Sequence, residues 1–456
     1  MQTLSYPTGS FNYLRPSWAS ATCSLSAQTK LDVVIVGAGV AGLSAAIALK
    51  RDGHNVAIYE STPVLSEVGA GIQVPPNSTR ILYSWGLEEA MRKSSAVPKN
   101  LFWRRWENGK TIAHTKLNPQ FEEWFGVPYH VTHRAHLHAV LHQKTVELGV
   151  PIKLATRIER YQPDLPCIVL ADGTVVKADL ILAADGIKSL ARQTILGHAD
   201  QSLRSHGVAA YRATVSVDDI KNNPKTAWIL ESQSLNLWVG HASHVMTYSI
   251  ASGKIFNLVV THPESTDPST WDQQDNIAKM QAHFDGWDPA LTAVLDKVQT
   301  STKWPIMDIN VPDKWSSDNR RTVLLGDAAH AMVPFMALGA AMAVEDAAVL
   351  AECLRSLPGK GSLERAIELF ERVRIPRVKQ VHEASSKHDY TLHLPDGPQQ
   401  EARDREMEDE VAGKHFFSSP NQWSDPTMQN WVYTYQPAAH VKAVLAQEKN
   451  DLNGQT

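Results

Sequence analysis

The stretch Leu31-Asp32-Val33-Val34-Ile35-Val36-Gly37-Ala38-Gly39-Val40-Ala41-Gly42 decides how this chain begins to fold. A short β-branched run ends in glycines and is followed by Leu43-Ser44-Ala45-Ala46-Ile47-Ala48-Leu49-Lys50, which reads as strand, tight turn and helix. Asp52-Gly53 stops the helix, and Asn55-Val56-Ala57-Ile58-Tyr59-Glu60 supplies a second strand, completing a βαβ unit. Gly37 permits the turn, Gly39 lets the backbone approach a pyrophosphate, and Gly42 allows the helix to pack closely on the sheet. The pyrophosphate would lie at the helix N-terminus, where free N–H groups and the helix dipole favour negative charge. Glu60, at the end of the second strand, is placed to accept from ribose hydroxyls. This pattern implies a dinucleotide without distinguishing FAD from NAD.

Working outward, residues 133–149 form a helix with Leu137, Leu141 and Val146 at helical spacing. Strand-like runs at 152–154, 167–170 and 180–184 continue the same nucleotide-binding lobe. From about Gly207 the pattern changes to alternating, antiparallel strands such as Ala209-Tyr211-Ala213-Val215 and Val245-Thr247-Ser249. Thr322-Val323-Leu324-Leu325-Gly326-Asp327 returns the chain to the first lobe, and helices follow from Gly339 and Leu363. The expected division is a tail over 1–30, a nucleotide-binding lobe over 31–205 and 301–392, a substrate domain over 206–300, and a C-terminal segment over 393–456. Residues 399–414 carry both charge signs and read as a solvated helix face, whereas Trp423, Trp431, Tyr433 and Tyr435 read as docking anchors.

The 456 residues are 43% hydrophobic and 20% charged, with a formal net charge of −4, so no basic excess points to a nucleic acid or an anionic membrane. Cys23, Cys167 and Cys353 are too few and too far apart for a disulfide framework or a metal knuckle. The longest small and apolar stretch, 322–351, contains Asp327, His330, Glu345 and Asp346, which excludes it as a membrane span. The first thirty residues lack the apolar run of a secretory signal, so a cytoplasmic protein is expected, with a mitochondrial presequence the lesser alternative. The histidines His130, His133, His136, His138 and His142 invite a metal reading, but the same helix must serve the nucleotide lobe, and no metal is expected.

Two later motifs separate FAD from NAD. Ala178-Asp179-Leu180-Ile181-Leu182-Ala183-Ala184-Asp185-Gly186 and Leu324-Leu325-Gly326-Asp327-Ala328-Ala329-His330 resemble the second and third fingerprints of the aromatic-ring hydroxylase family, flavin monooxygenases with a single FAD lobe. The resemblance covers essentially the whole chain after residue 31. It implies a para-hydroxybenzoate-hydroxylase-like α/β fold: a Rossmann-type FAD-binding lobe with an inserted antiparallel-sheet substrate domain. Val68-Gly69-Ala70-Gly71-Ile72-Gln73 looks like the family's loop beside the flavin, which makes Ala70 and Gly71 candidate cofactor contacts. By the same resemblance Arg134 contacts FAD, and Asp185 and Asp327 belong to its binding site, Asp327 facing the ribityl and ribose hydroxyls. Gly339 and Ala340, at a helix start, present backbone N–H groups to the pyrimidine edge of the flavin ring. Leu338 stands where the family commonly has glutamine, and Ala341 where glycine is frequent.

Trp103-Arg104-Arg105-Trp106, His133-Arg134-Ala135-His136-Leu137 and Ala210-Tyr211-Arg212-Ala213 are most similar to fungal salicylate-hydroxylase-like enzymes. The implied reaction uses NADH or NADPH as a transient co-substrate, since no second Rossmann turn exists, and delivers one oxygen atom of dioxygen to an electron-rich ring. Arg212 and Tyr248 match positions that hold the phenolate in the dearomatising branch, the guanidinium for charge and the hydroxyl for orientation. The expected substrate is a phenolic or aromatic-acid small molecule, hydroxylated simply, decarboxylatively or with dearomatisation, by a monomer or homodimer. An alkene or terpenoid epoxidase, and a flavin-binding accessory protein with degenerate activity, remain alternatives; Leu338 and Ala341 keep the second open.

Overall fold

The computed structural model of the chain describes residues 27–65, 71–197, 203–267, 271, 276–355 and 357–453. Most of the expected tail and Ala70 lie outside the described residues. The opening stretch forms β1 (Asp32–Val36), α1 (Val40–Arg51) and β2 (Asn55–Tyr59), as its pattern requires. Strand β3 (Gly71–Val74), the hairpin β4 (Asn100–Arg105) and β5 (Thr111–Lys116), helix α2 (Arg134–Glu147), and strands β6 (Ile152–Lys153) and β7 (Leu180–Ala183) follow. Next come the strands β8 (Leu203–Ser216), β9 (Ser234–Gly240), β10 (Ser243–Ile250), β11 (Ile255–Pro263) and β12 (Ser301–Ile309). Strand β13 (Thr322–Leu324) leads to the long helices α3 (Gly339–Arg355) and α4 (Leu363–Leu392).

Two sheets organise these elements. A five-stranded parallel sheet in the order β13-β7-β1-β2-β6 carries the nucleotide lobe, and its central strands are buried, as parallel sheets flanked by helices are. The second sheet has seven strands in the order β12-β8-β11-β10-β9-β4-β5, antiparallel except where β9 runs parallel to β4. It draws strands from 100–116 and 301–309, outside the 206–300 expected for the substrate domain. Sequence alternation reveals a strand but not its partners, which here lie more than a hundred residues away.

Strand alternation gives this large sheet two different faces. Tyr211, Ala213, Val245, Leu258 and Val260 point into a separate apolar core with Met280, Phe284 and Leu291 from two short helices, Asn276–His283 and Pro289–Leu295. The intervening residues face the nucleotide lobe. Helix α4 runs on to Leu392, and its last turns lie beside the large sheet. The charged stretch at 399–414 is only partly a solvated face: Arg403 and Glu410 are buried, Arg403 donating to the Thr391 carbonyl and Glu410 accepting from the His114 N–H.

Candidate active site

Two glycines of the turn tolerate no side chain and the third keeps a space open. Gly37 has φ +99°, and a Cβ there would lie 2.4 Å from the Ala184 carbonyl oxygen; at Gly42 it would lie 2.0 Å from the Gly37 carbonyl oxygen. A Cβ on Gly39, by contrast, would meet nothing within 4 Å, because it would project into a cavity at the N-terminus of α1. His138 on α2 fixes the turn from behind by donating from Nε2 to the Ala38 carbonyl, at 2.7 Å. Glu60 Oε2 accepts from the Ala38 N–H at 2.7 Å while Oε1 accepts from Thr62. Burial raises the Glu60 pKa, but these N–H groups outweigh it and hold it below the usual range. The carboxylate therefore shapes the turn as well as facing the cavity.

Two adjoining cavities run along this edge of the parallel sheet. One of about 630 Å³ is lined by Gly37, Glu60 and Asp185; the other, of about 370 Å³, by Arg134, Asp327 and Gly339; Gly39, Ala184 and Gly186 border both. Asp185 uses one oxygen to cap the Leu190–Leu196 helix and accept from Tyr161, while its buried Oδ1 has no hydrogen-bond partner among the described residues. Asp327, by contrast, is exposed towards the cavity. Its strand end is held by buried Asp346, which accepts from the Gly326 N–H, His330 Nε2 and Arg374 Nε. Gly339 and Ala340 line the same cavity at the start of α3. Leu338 does not: it is buried in the core, as is Ala341, so neither side chain lines the cavity wall.

The opposite wall is the inner face of the large sheet. Its register sets Ala210, Thr261 and His244 in one row, Arg212, Val259 and Met246 in the next, and Thr214, Asn257 and Tyr248 in a third. Arg212 and Tyr248, both inferred from sequence, thus project from neighbouring rows into the cavity that holds Arg134 and Gly339. Gly71 lies directly against Tyr248: a Cβ there would come within 2.5 Å of the hydroxyl oxygen, and the Gly71 N–H donates to Asn257 Oδ1 at 2.6 Å. The Arg212 Nε is buried without a hydrogen-bond partner among the described residues. Burial, followed by the positive charge of Arg134, lowers the Arg212 pKa. Burial pushes the Tyr248 hydroxyl well up, keeping it a neutral donor. Asp327 is the sole acid among the described residues lining this cavity.

Sequence reasoning missed His244 and Thr261 on this wall, and Phe335, which lines the same cavity from Pro334–Met336. The alternation that placed Tyr248 on this face also places Met246 and His244 there, so the signal was present two and four residues upstream. Three of the five histidines of 130–142 have structural contacts of their own: His130 with the Tyr83 hydroxyl, His133 capping α2, and His138 on the turn.

A family model described as an FAD binding domain matches residues 30–385. The chain belongs to the FAD-dependent aromatic-ring hydroxylase family. The hydroxylase is 33% identical over 427 residues to the FAD-dependent monooxygenase OpS4 of Beauveria bassiana, covering 93% of this chain and 99% of that relative. It is 34% identical to the 3-amino-4-hydroxybenzoate 2-monooxygenase PtmB3 of Streptomyces platensis, over 82% of this chain and 92% of the relative. A solved salicylate hydroxylase substrate complex shares the fold with a TM-score of 0.73 at 22% identity, covering 91% of this chain and 97% of that one. The hydroxylase is therefore an FAD-dependent monooxygenase of the aromatic-hydroxylase type. The open space at Gly39, the orphaned Asp185 Oδ1 and the exposed Asp327 carboxylate fit a dinucleotide laid along the two cavities. Among the described residues no helix is long and apolar enough to cross a membrane.

Proposed function

We propose that the hydroxylase consumes NADH or NADPH and dioxygen to hydroxylate a single-ring aromatic carrying a hydroxyl and an anionic group. The observation that carries this reading is the Arg212 guanidinium, whose buried Nε has no hydrogen-bond partner among the described residues and which stands beside a second arginine, Arg134, on a cavity wall. A buried cation without an acid is costly, and an anionic ring substituent would relieve it. The named activity of the Streptomyces relative, on a ring bearing hydroxyl and carboxylate, agrees with that chemistry.

Bound FAD supplies activated oxygen at the ring cavity. The chain's own groups do the rest. Arg212 holds carboxylate or phenolate charge, Tyr248 orients the ring oxygen by donating its hydroxyl, and His244 faces the ring from the next-but-one row of the sheet. Met246, Leu237, Val259 and Phe335 exclude water from the reacting position. Gly39, Arg134, Asp327 and the Gly339 helix start would hold the cofactor's phosphate, ribityl and ring portions in that order along the two cavities.

Arg212→Gln tests the reading. The variant should keep its bound flavin spectrum and lose aromatic-dependent hydroxylation; unchanged turnover would refute the role of Arg212.

A further inference from the structure

His244 is the visible end of a chain of groups that leads out of the ring cavity. Its Nε2 lies 3.2 Å from the Thr261 hydroxyl, and both residues line the cavity. Its Nδ1 lies 2.7 Å from His393 Nε2, and His393 Nδ1 lies 2.6 Å from an Asp389 carboxylate oxygen. Exposure rises along the path: His244 is buried, the His393 side chain is 11% exposed, and that of Asp389 is 29% exposed. Asp389 and His393 are one turn apart at the end of α4, which places both on one face of the helix. Phe335 packs edge-on against both imidazoles, and the Ala242 N–H donates to the His393 carbonyl, so the rings are held in place.

The hydrogen-bond arithmetic fixes the tautomers. A carboxylate only accepts, so His393 carries a proton on Nδ1, and in the neutral ring its Nε2 is left as an acceptor. His244 must then donate from Nδ1, and its Nε2 lone pair is turned towards Thr261 and the cavity. Burial, followed by the neighbouring His393 and His388, holds the His244 pKa well below the ordinary imidazole value, so the ring stands neutral.

We propose that Asp389 and His393 are positioning residues that present His244 to the ring cavity as a neutral base and carry the abstracted proton to the surface. This rests on the function proposed above. In the step, the phenol O–H bond breaks as an N–H bond forms at His244 Nε2. The Nδ1 proton of His244 passes to His393 Nε2, the Nδ1 proton of His393 passes to Asp389, and the carboxyl exchanges it with water. The substrate is left as the phenolate that Arg212 and Tyr248 hold. Other charged and titratable groups border the path: His388, pushed down to about 3 by burial first and then by His393 and Arg403, and His206, whose electrostatic partners include Asp389.

The test has two arms. In the FAD-loaded protein with ¹⁵N-labelled histidine, assigned with His244→Gln and His393→Gln, long-range proton–nitrogen spectra should show both rings protonated at Nδ1. Asp389→Asn should mix the tautomers of both. A wild-type His244 protonated at Nε2, or tautomers unchanged in Asp389→Asn, overturns the relay whatever the substrate is. In the second arm, hydroxylation of 3-amino-4-hydroxybenzoate and 3-hydroxybenzoate at neutral pH should fall about tenfold or more in Asp389→Asn and His393→Gln, in kcat more than in KM. Ring-fluorinated versions, whose hydroxyl ionises more readily in solution, should recover part of that loss. An equal loss with fluorinated and parent rings would mark the two residues as merely structural and overturn the relay. A wild-type protein indifferent to every ring would instead overturn the proposed function, and the tautomer spectra would still decide whether His244 is held as drawn.

Discussion

Gly39 and Gly42 lie in one turn, yet a methyl group at each would meet different surroundings. At Gly42 it would strike the Gly37 carbonyl within the turn itself, whereas at Gly39 it would enter open cavity. Gly42→Ala should therefore fail to give folded protein. Gly39→Ala should keep the wild-type circular dichroism spectrum and lose the flavin absorbance. A yellow Gly39→Ala protein would contradict the placement of the phosphates. Gly42 was legible in the sequence because the Gly37 carbonyl and Ile35 side chain that constrain it lie within the same strand–turn–helix unit. The direction of the Leu338 side chain was not legible: its neighbours in sequence face the cavity while it turns into the core, a phase set by the approach to α3 that composition does not reveal.

Between elements, the strongest tie behind the cofactor site is the buried network that joins α3 to α4. Arg374 bonds Asp346 through Nε and Glu345 through Nη1, both at 2.7 Å, and Arg377 also bonds Glu345. Burial would raise the Asp346 pKa, but the neighbouring His330 and Arg374 hold it down at about 2. Arg374→Ala leaves two carboxylates buried without their shared partner, which costs about 3–5 kcal/mol. Denaturant unfolding of the FAD-free protein measures this directly, and a change below about 1 kcal/mol would contradict it. Because Asp346 also holds the Gly326 N–H, FAD affinity should fall in the same variant. None of this network was read from sequence. The acids at 345–346 were seen only as interruptions of an apolar stretch, since their partners lie some thirty residues away on a helix whose packing face is decided by tertiary contacts. The same limit hid His393 and Asp389 from His244, which they meet across about 150 residues of chain.

At the scale of the whole molecule, several histidines are buried neutral, which makes stability depend on pH. Burial first, with neighbouring charges or histidines after it, lowers His130 and His262 to about 4 and His388 to about 3, and lowers His244 as well. Their folded pKa values lie below the unfolded value of 6.5. Stability from these groups is thus complete above that pH and is lost as the pH falls towards 4, when only the unfolded chain takes up protons. Each contributes a slope of up to about 1.4 kcal/mol per pH unit. His206, raised by its hydrogen bond to Asp308, opposes them in part. Urea midpoints should therefore decline steadily from pH 6.5 to 4.5, and a flat profile over that window would contradict the buried, neutral assignment.

The two sheets meet at one cavity, with the cofactor fingerprint on one wall and Arg212, Tyr248 and His244 on the other. The central claim is that this cavity oxygenates an anionic, hydroxylated ring. It is tested most directly by following NADH or NADPH and dioxygen consumption by the FAD-loaded protein across a panel of hydroxybenzoates, with the product mass measured for each. The account predicts that at least one such ring accelerates both consumptions and leaves as a product with one added oxygen atom, with or without loss of carbon dioxide. Consumption that no ring accelerates, or that only an alkene accelerates with an epoxide as product, would contradict it.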